Sequence, residues 1–308
     1  MKAENNKIRA ARPAEMNIHV WNVLKKIATE IRKTEGEGSP WKNRVMVSCK
    51  EFYHMLLDSH GNLILQNKEL IHFAQNGHIK KWANEVLLDG INLLSNSAYD
   101  IAIQKFELYK SMLPAESIGD YYLAKAYQTK MELRKALVHI NCALQLDSKS
   151  AKYYTLRASI YSALDQDEKA KSDLDFALLI EPLLANAYYL RAINHSTRGD
   201  IKMAIQDLKK AIAVKPEEVD YHLALANSYL SMGKFSEAYG AFRKILSLNP
   251  FHAEALFQCA SIKIELDIEV KTAEEDLWMA RSLGHPLAEN LLLARFYPGW
   301  DLPLSNVA

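Results

Sequence analysis

The sequence predicts an all-α protein, a solenoid of about six helix-turn-helix repeats with an N-terminal helical segment and a C-terminal capping helix. Small residues recur every 34 residues, at Gly90, Ala124, Ala158, Ala192, Ala226 and Ala260. A second series has the same period, at Ala102, Ala136, Ala170, Ala204 and Ala238, and a third comprises Ala143, Ala177 and Ala211 and continues into Ile245. Prolines close four of the units, at Pro114, Pro182, Pro216 and Pro250. Self-similarity at a fixed period of this length is typical of stacked repeats.

The composition fits a packed intracellular protein. The chain has 308 residues, 49% apolar and 24% charged, which is enough for a core and excludes a disordered tail or a disulfide miniprotein. It has no apolar run long enough to span a membrane, and residues 1–13 lack the apolar stretch of a secretory signal. Because Cys49, Cys142 and Cys259 have no paired spacing, we expect a cytoplasmic protein with reduced thiols. A net charge of +1 does not imply nucleic acid as a partner.

The unit 185–218 illustrates how one repeat is built. The turn Arg198-Gly199-Asp200 separates two helical stretches, which predicts a helical hairpin. Ala192 and Ala204 are expected where the two helices cross, because only a small side chain permits close approach there. Larger residues such as Leu208 fill the space beside the crossing.

These features resemble the tetratricopeptide repeat family, whose 34-residue units carry small residues at positions 8, 20 and 27 and proline at position 32. The resemblance implies a right-handed superhelix with repeats at 83–116, 117–150, 151–184, 185–218, 219–252 and 253–285. Tyr109 and Ser148 depart from the family pattern, and one residue is inserted around Leu266 to Glu269. Within residues 286–308, a last helix through Phe296 would cap the open end, and the tail that follows is expected to be extended.

Residues 1–82 do not follow the repeat. Helices are predicted over 13–33, from a capping box formed by Ser48 and Glu51, and from about Asn67 through Phe73. An N-terminal cap or a degenerate pair of repeats is the simplest interpretation. Residues 1–50 also carry 11 Lys and Arg against 5 Glu, so this basic arm could bind RNA or an anionic surface, although a solvated face is the commoner explanation.

No catalytic or metal site is predicted. His54, His60, His72 and His78 cluster in sequence near Cys49, but separations of six and twelve residues do not place a pair one turn apart on one helical face. The chain contains no phosphate-binding glycine loop and no nucleophile elbow. We therefore expect a non-enzymatic protein without a cofactor.

In the family, the first helix of each repeat lines a concave groove, which implies a protein-interaction adaptor that holds a peptide or helix of a partner. Positions 5 and 9 of the first helices supply the predicted contact residues Tyr121, Lys125, Thr155, Ser159, Tyr189, Ile193, Leu223, Asn227 and Phe257. Aromatic rings offer large contact area, and Asn and Ser offer hydrogen bonds to a peptide backbone. Neighbouring helices could instead cover some of these side chains, Ile193 and Leu223 above all.

One family function is disfavoured. Binding the acidic C-terminal tail of a chaperone requires a clamp of Lys, Asn and Arg at fixed positions of three successive repeats, and here Leu156 and Leu190 occupy two of them. An uncharged leucine does not hold a carboxylate. Self-association stays open, with the arm or the Trp300 tail in the groove of a second copy.

Overall fold

The computed structural model describes residues 78–298, except the side chains of His78, Ile79 and Trp82. The helices predicted within residues 1–77, the basic arm, the tail from residue 299 and, apart from the backbone of His78, the histidine cluster lie outside these described residues. Contacts divide the chain into two compact units, residues 1–148 and residues 149–308. No helix between residues 78 and 298 has both the length and the apolar character needed to cross a bilayer.

Every regular element within residues 78–298 is helical, as predicted. The first unit contains α1 (His78–Ser95), α2 (Tyr99–Met112), α3 (Ser117–Thr129) and α4 (Leu133–Leu146). The second unit contains α5 (Ala151–Ser162), α6 (Asp167–Ile180), α7 (Ala185–Thr197), α8 (Ile201–Val214), α9 (Val219–Leu230), α10 (Phe235–Leu248), α11 (Ala253–Glu265), α12 (Val270–Ser282) and α13 (Ala288–Phe296). The first helix begins at His78, ahead of residue 83, where the repeat frame starts, and Lys80 in this extra turn forms an ion pair with Glu116 at 3.2 Å.

The periodic small residues lie at the helix crossings, as predicted. Ala192 and Ala204 are 1% and 0% exposed, and the equivalent alanines in the other repeats are also buried. Leu208, beside this crossing, is 1% exposed. Because these small residues are buried between packed helices in every repeat, the 34-residue period marks where two helices approach closely.

A left-handed residue ends the first helix of every repeat with the same period. The residues are Ser97, Met131, Asp165, Gly199, Gly233 and Asp267, with φ between 51° and 82°. In each case the next amide donates to a carbonyl five residues earlier over 2.8–2.9 Å, which satisfies one of the last helical carbonyls. The final repeat has two more left-handed residues, Gly284 with φ of 83° and Glu269 with φ of 44°, and Glu269 lies within the segment where the inserted residue was predicted.

The helix α13 closes the C-terminal end of the second unit. Ala288 and Leu292 are 0% and 1% exposed and pack in one cluster with Leu277 and Ala280 of α12. This is the predicted capping helix, and it covers apolar surface that the last repeat would otherwise expose.

Candidate functional site

The first helices of the second unit, α5, α7, α9 and α11, form the surface that we call the inner face. Each second helix packs against the first helix of its own repeat and the first helix of the next. The helix α7 also packs directly on α5 and α9, whereas no two second helices of this unit pack as closely. The first helices therefore lie closer together than the second helices, so they form the inner side of this stack of repeats.

The centre of the inner face is formed by α7 and α9. Ile193 is 38% exposed, and Asn227 is also exposed, with no hydrogen bond from its amide within residues 78–298. Tyr189 is half-buried, and its ring centroid lies 5.0 Å from that of Tyr221. Leu223 is half-buried against the core. An apolar side chain, an aromatic ring and an unused amide therefore face solvent together.

At the α5 end, two predicted contact residues have local hydroxyl bonds. Thr155 is 5% exposed and donates to the carbonyl of Ala151 over 2.8 Å, so it is not on the surface, contrary to the prediction. Thr155 is buried because neighbouring residues pack over it, and a residue's position in the repeat does not determine this packing. Ser159 is half-buried and donates to the carbonyl of Leu156 over 2.8 Å.

At the α11 end, Phe257 is already packed against the chain itself. Its ring stacks on His285 with centroids 4.1 Å apart and an interplanar angle of 18°. His285 Nε2 lies 2.9 Å from Glu254 Oε2, and Gln258 donates to Glu254 Oε1 over 2.8 Å. Burial alone would raise the pKa of Glu254, but these two hydrogen bonds lower it below its usual value. This end of the inner face is therefore a fixed network, with one face of Phe257 covered.

Tyr121 and Lys125 lie on α3 of the first unit. Tyr121 is half-buried and contacts Tyr122 edge to face, with ring centroids 5.1 Å apart. Lys125 is exposed. They are candidate contact residues of that unit.

The neighbourhood of Tyr189 is acidic. Burial raises the pKa of Tyr189 above its usual value, and the charges of Asp220 and Glu218 raise it further. Burial and the charges of the same two carboxylates also raise the pKa of Tyr221 above its usual value. Glu218 and Asp220 are exposed, and neither carboxylate forms an ion pair or hydrogen bond within residues 78–298.

Two arginines of the first helices bridge the two helices of a repeat. Arg157 binds Asp173 through two bonds of 2.7 Å. Arg191 binds Asp207 in the same way, at 2.7 and 2.8 Å, and reaches Asp175 of the preceding repeat at 2.7 Å. Sequence reasoning missed these pairs, although both arginines and both partners recur at the 34-residue spacing.

A second, outward surface lies between α5 and α6. It is an open groove of about 500 Å³, lined by Tyr154, Ser172, Asp173, Asp175, Phe176 and Leu179. Leu179 is 75% exposed, and Phe176 is 42% exposed and packs edge to face on Tyr154 at 4.7 Å. This surface is an alternative place for a partner to bind.

Within residues 78–298, no group of three or more His, Cys, Asp and Glu side chains could hold a metal ion. Burial raises the pKa of Cys259 to about 12, which keeps this thiol protonated and unreactive at neutral pH.

Comparisons with known proteins agree with this architecture. The family model of the tetratricopeptide repeat matches residues 151–182, 185–218 and 219–252. No match to this chain is found among curated proteins. Among solved structures, PilW, a widely conserved type IV pilus biogenesis factor, is 19% identical over 68% of this chain and 98% of its own, with a TM-score of 0.60. PilF of Pseudomonas aeruginosa is 17% identical over 72% of this chain and 95% of its own, with a TM-score of 0.58.

A thermophilic tetratricopeptide-repeat protein of Thermus thermophilus is 24% identical over 59% of this chain and 99% of its own, with a TM-score of 0.52. At these identities the similarity shows a shared fold alone. The stacked hairpins and their period define an α-helical repeat protein. The matched family model shows that residues 151–252 consist of tetratricopeptide repeats, and proteins with such repeats generally bind other proteins.

Proposed function

We propose that this chain is a non-enzymatic adaptor that holds a peptide or helical segment of a partner protein on the inner face of the unit 149–308. The observation that supports this proposal is the solvent-facing group of Tyr189, Ile193 and Asn227 on two adjacent first helices. Tyr and Ile can bury apolar area in a contact, and a free amide can both donate to and accept from a peptide backbone.

The arginine charges of the first helices α5 and α7 are engaged within the fold. Arg157 and Arg191 are bound to aspartates of the second helices, so their charges are already neutralised within the fold. Arginine charge therefore contributes little to recognition at the centre of the inner face, where shape and side-chain hydrogen bonds act. Partner contacts extend from α7 and α9 towards Ser159 at one end and the exposed part of Phe257 at the other.

A matched pair of variants tests the location. Ile193→Asp places a charge on the inner face, and Leu179→Asp places the same charge in the outward groove, at a residue that is likewise exposed. The full chain and both variants are used as bait, and captured proteins are quantified by mass spectrometry. We expect a set of proteins to be retained by the wild type and by L179D and lost with I193D, while the melting temperatures of all three agree within a few degrees.

Two results would count against the proposal. The inner face is the wrong surface if I193D captures the same proteins as the wild type. Loss with L179D alone would instead place the partner in the groove between α5 and α6.

A further inference from the structure

Cations packed on tyrosine rings are a recurrent feature of the second unit. Lys or Arg side chains lie 5.3–5.9 Å from the ring centroids of Tyr154, Tyr161, Tyr188, Tyr229 and Tyr239. Such contacts are favourable because the face of an aromatic ring carries partial negative charge. Within the described part of the second unit, these five tyrosines thus have a ring face paired with a basic residue of the chain itself.

Tyr189 and Tyr221 differ from these tyrosines. Their rings contact each other at 5.0 Å with an angle of 33°, and within residues 78–298 no Lys or Arg lies over either ring. Tyr221 is 5% exposed, so Tyr189 presents the accessible part of the pair. This pair lies at the centre of the inner face, next to Ile193.

The charges that act on this pair are negative. Glu218 is the N-cap residue of α9 and forms no side-chain capping bond, and Asp220 lies in the first turn of the same helix. Carboxylates at this end of a helix stabilise it through the helix dipole, which accounts for their presence in the fold. The helix dipole is not a counter-ion, and neither carboxylate has a counter-ion within the described part of the chain.

We propose that Tyr189, Glu218 and Asp220 form a subsite for a basic side chain, Lys or Arg, of the partner segment that occupies the inner face. The inference rests on the proposed function and adds the chemistry of the partner. The cation of the partner lies against the Tyr189 ring, where the other tyrosines hold a cation of the chain itself, and the two carboxylates neutralise it. Charge complementarity at this point favours a basic segment over an acidic one.

Selection from a library of random dodecapeptides displayed on phage, with the purified full chain as target, tests the inference. We expect the peptides that bind the wild type and fail to bind I193D to be enriched in Lys and Arg. One selected peptide is then synthesised, and its dissociation constant is measured by fluorescence anisotropy against the wild type and variants.

Three variants separate the contributions. Y189F keeps the ring and should bind within about twofold of the wild type, whereas Y189L should bind about three- to thirtyfold more weakly. E218Q/D220N should weaken binding by at least about threefold, and the loss should shrink as salt is added because the charges are exposed. The control E181Q/E275Q removes two exposed carboxylates elsewhere in the same unit and should leave the dissociation constant unchanged. The two carboxylate variants alter exposed side chains alone, so this comparison stands even if Y189L loses stability.

The outcomes distinguish the two proposals. Peptides that bind I193D as well as the wild type, or a selection without any binder, overturn the proposed function and the inference with it. Peptides that require the inner face but carry no basic residue, or bind E218Q/D220N as tightly as E181Q/E275Q, overturn the inference and leave the proposed function standing.

Discussion

Gly90 lies on α1 where a Cβ atom would stand 2.6 Å from Cε1 of Phe106. Phe106 is 0% exposed, and its ring stacks on Tyr122 with centroids 5.3 Å apart, so the ring has no free space to move into. Replacing Gly90 by alanine should therefore destabilise the protein, although alanine is the better helix former.

A second glycine supplies the control. Gly240 is in the interior of α10, and a Cβ atom there would meet nothing within 4 Å. Both substitutions gain about 1 kcal/mol in helix propensity, and G90A alone carries the cost of overpacking, about 1–3 kcal/mol. We expect G240A to be more stable than the wild type by about 1 kcal/mol and G90A to lie about 2 kcal/mol below G240A.

Urea unfolding followed by far-UV circular dichroism measures both variants. In a double-mutant cycle, F106L should remove the penalty of G90A, since leucine occupies the equivalent position in three other repeats, at Leu174, Leu208 and, after the inserted residue, Leu277. If G90A is as stabilising as G240A, or if F106L leaves the penalty of G90A unchanged, overpacking against Phe106 is not the cause.

Two further substitutions test the polar groups of the fold. R191M leaves the carboxylate of Asp207 without its bidentate partner, and because this side chain is only 5% exposed, the free energy of unfolding should fall by about 3 kcal/mol. In urea unfolding, R191M/D207L should recover most of that loss. Equal stability of R191M and the wild type would contradict this. Burial alone would raise the pKa of Asp120, but hydrogen bonds, the first from His139 at 2.7 Å, lower it below 3.8. Because the pKa of Asp120 is lowered in the folded state, its carboxylate stabilises the fold above pH 3.8, and this stabilisation is lost as the pH falls through the folded-state pKa. The urea midpoint of D120N should therefore decline less than that of the wild type between pH 5 and pH 2.5. An identical decline in D120N would refute the assignment.

Most of the fold can be predicted from the sequence, because a close helix crossing admits small side chains alone and each repeat has the same crossing. Ala158 and Ala192 record it directly. The turn conformations are harder to predict from the sequence, since Gly199 and Gly233 indicate a left-handed residue but Met131 at the same position does not. The packing of the two helices imposes that conformation on Met131, and a single sequence does not show it.

The candidate site was predicted less completely. The repeat frame correctly placed Ile193 and Asn227 on the first helices, and both are exposed. Thr155 has the equivalent frame position to Tyr189 but is buried, because exposure depends on what packs over a position and not on its number. Likewise, His285 lies beyond the last regular repeat, so the frame gave no indication that it stacks on Phe257.

The acidic surroundings of Tyr189 could be recognised only once the fold brought α7 and α9 together. Glu218 and Asp220 are far from Tyr189 in sequence, and in the sequence they are typical residues for the start of a helix. Their relation to an aromatic ring without a cation comes from the structure.

Hydrogen–deuterium exchange of the full chain, with and without a saturating concentration of the selected peptide, tests the central claim most directly. We expect slower exchange in Ala185–Thr197 and Val219–Leu230, the helices at the centre of the inner face, with little change in the second helices α6, α8 and α10. Protection confined to α6 or to other second helices, with α7 and α9 unchanged, would contradict it.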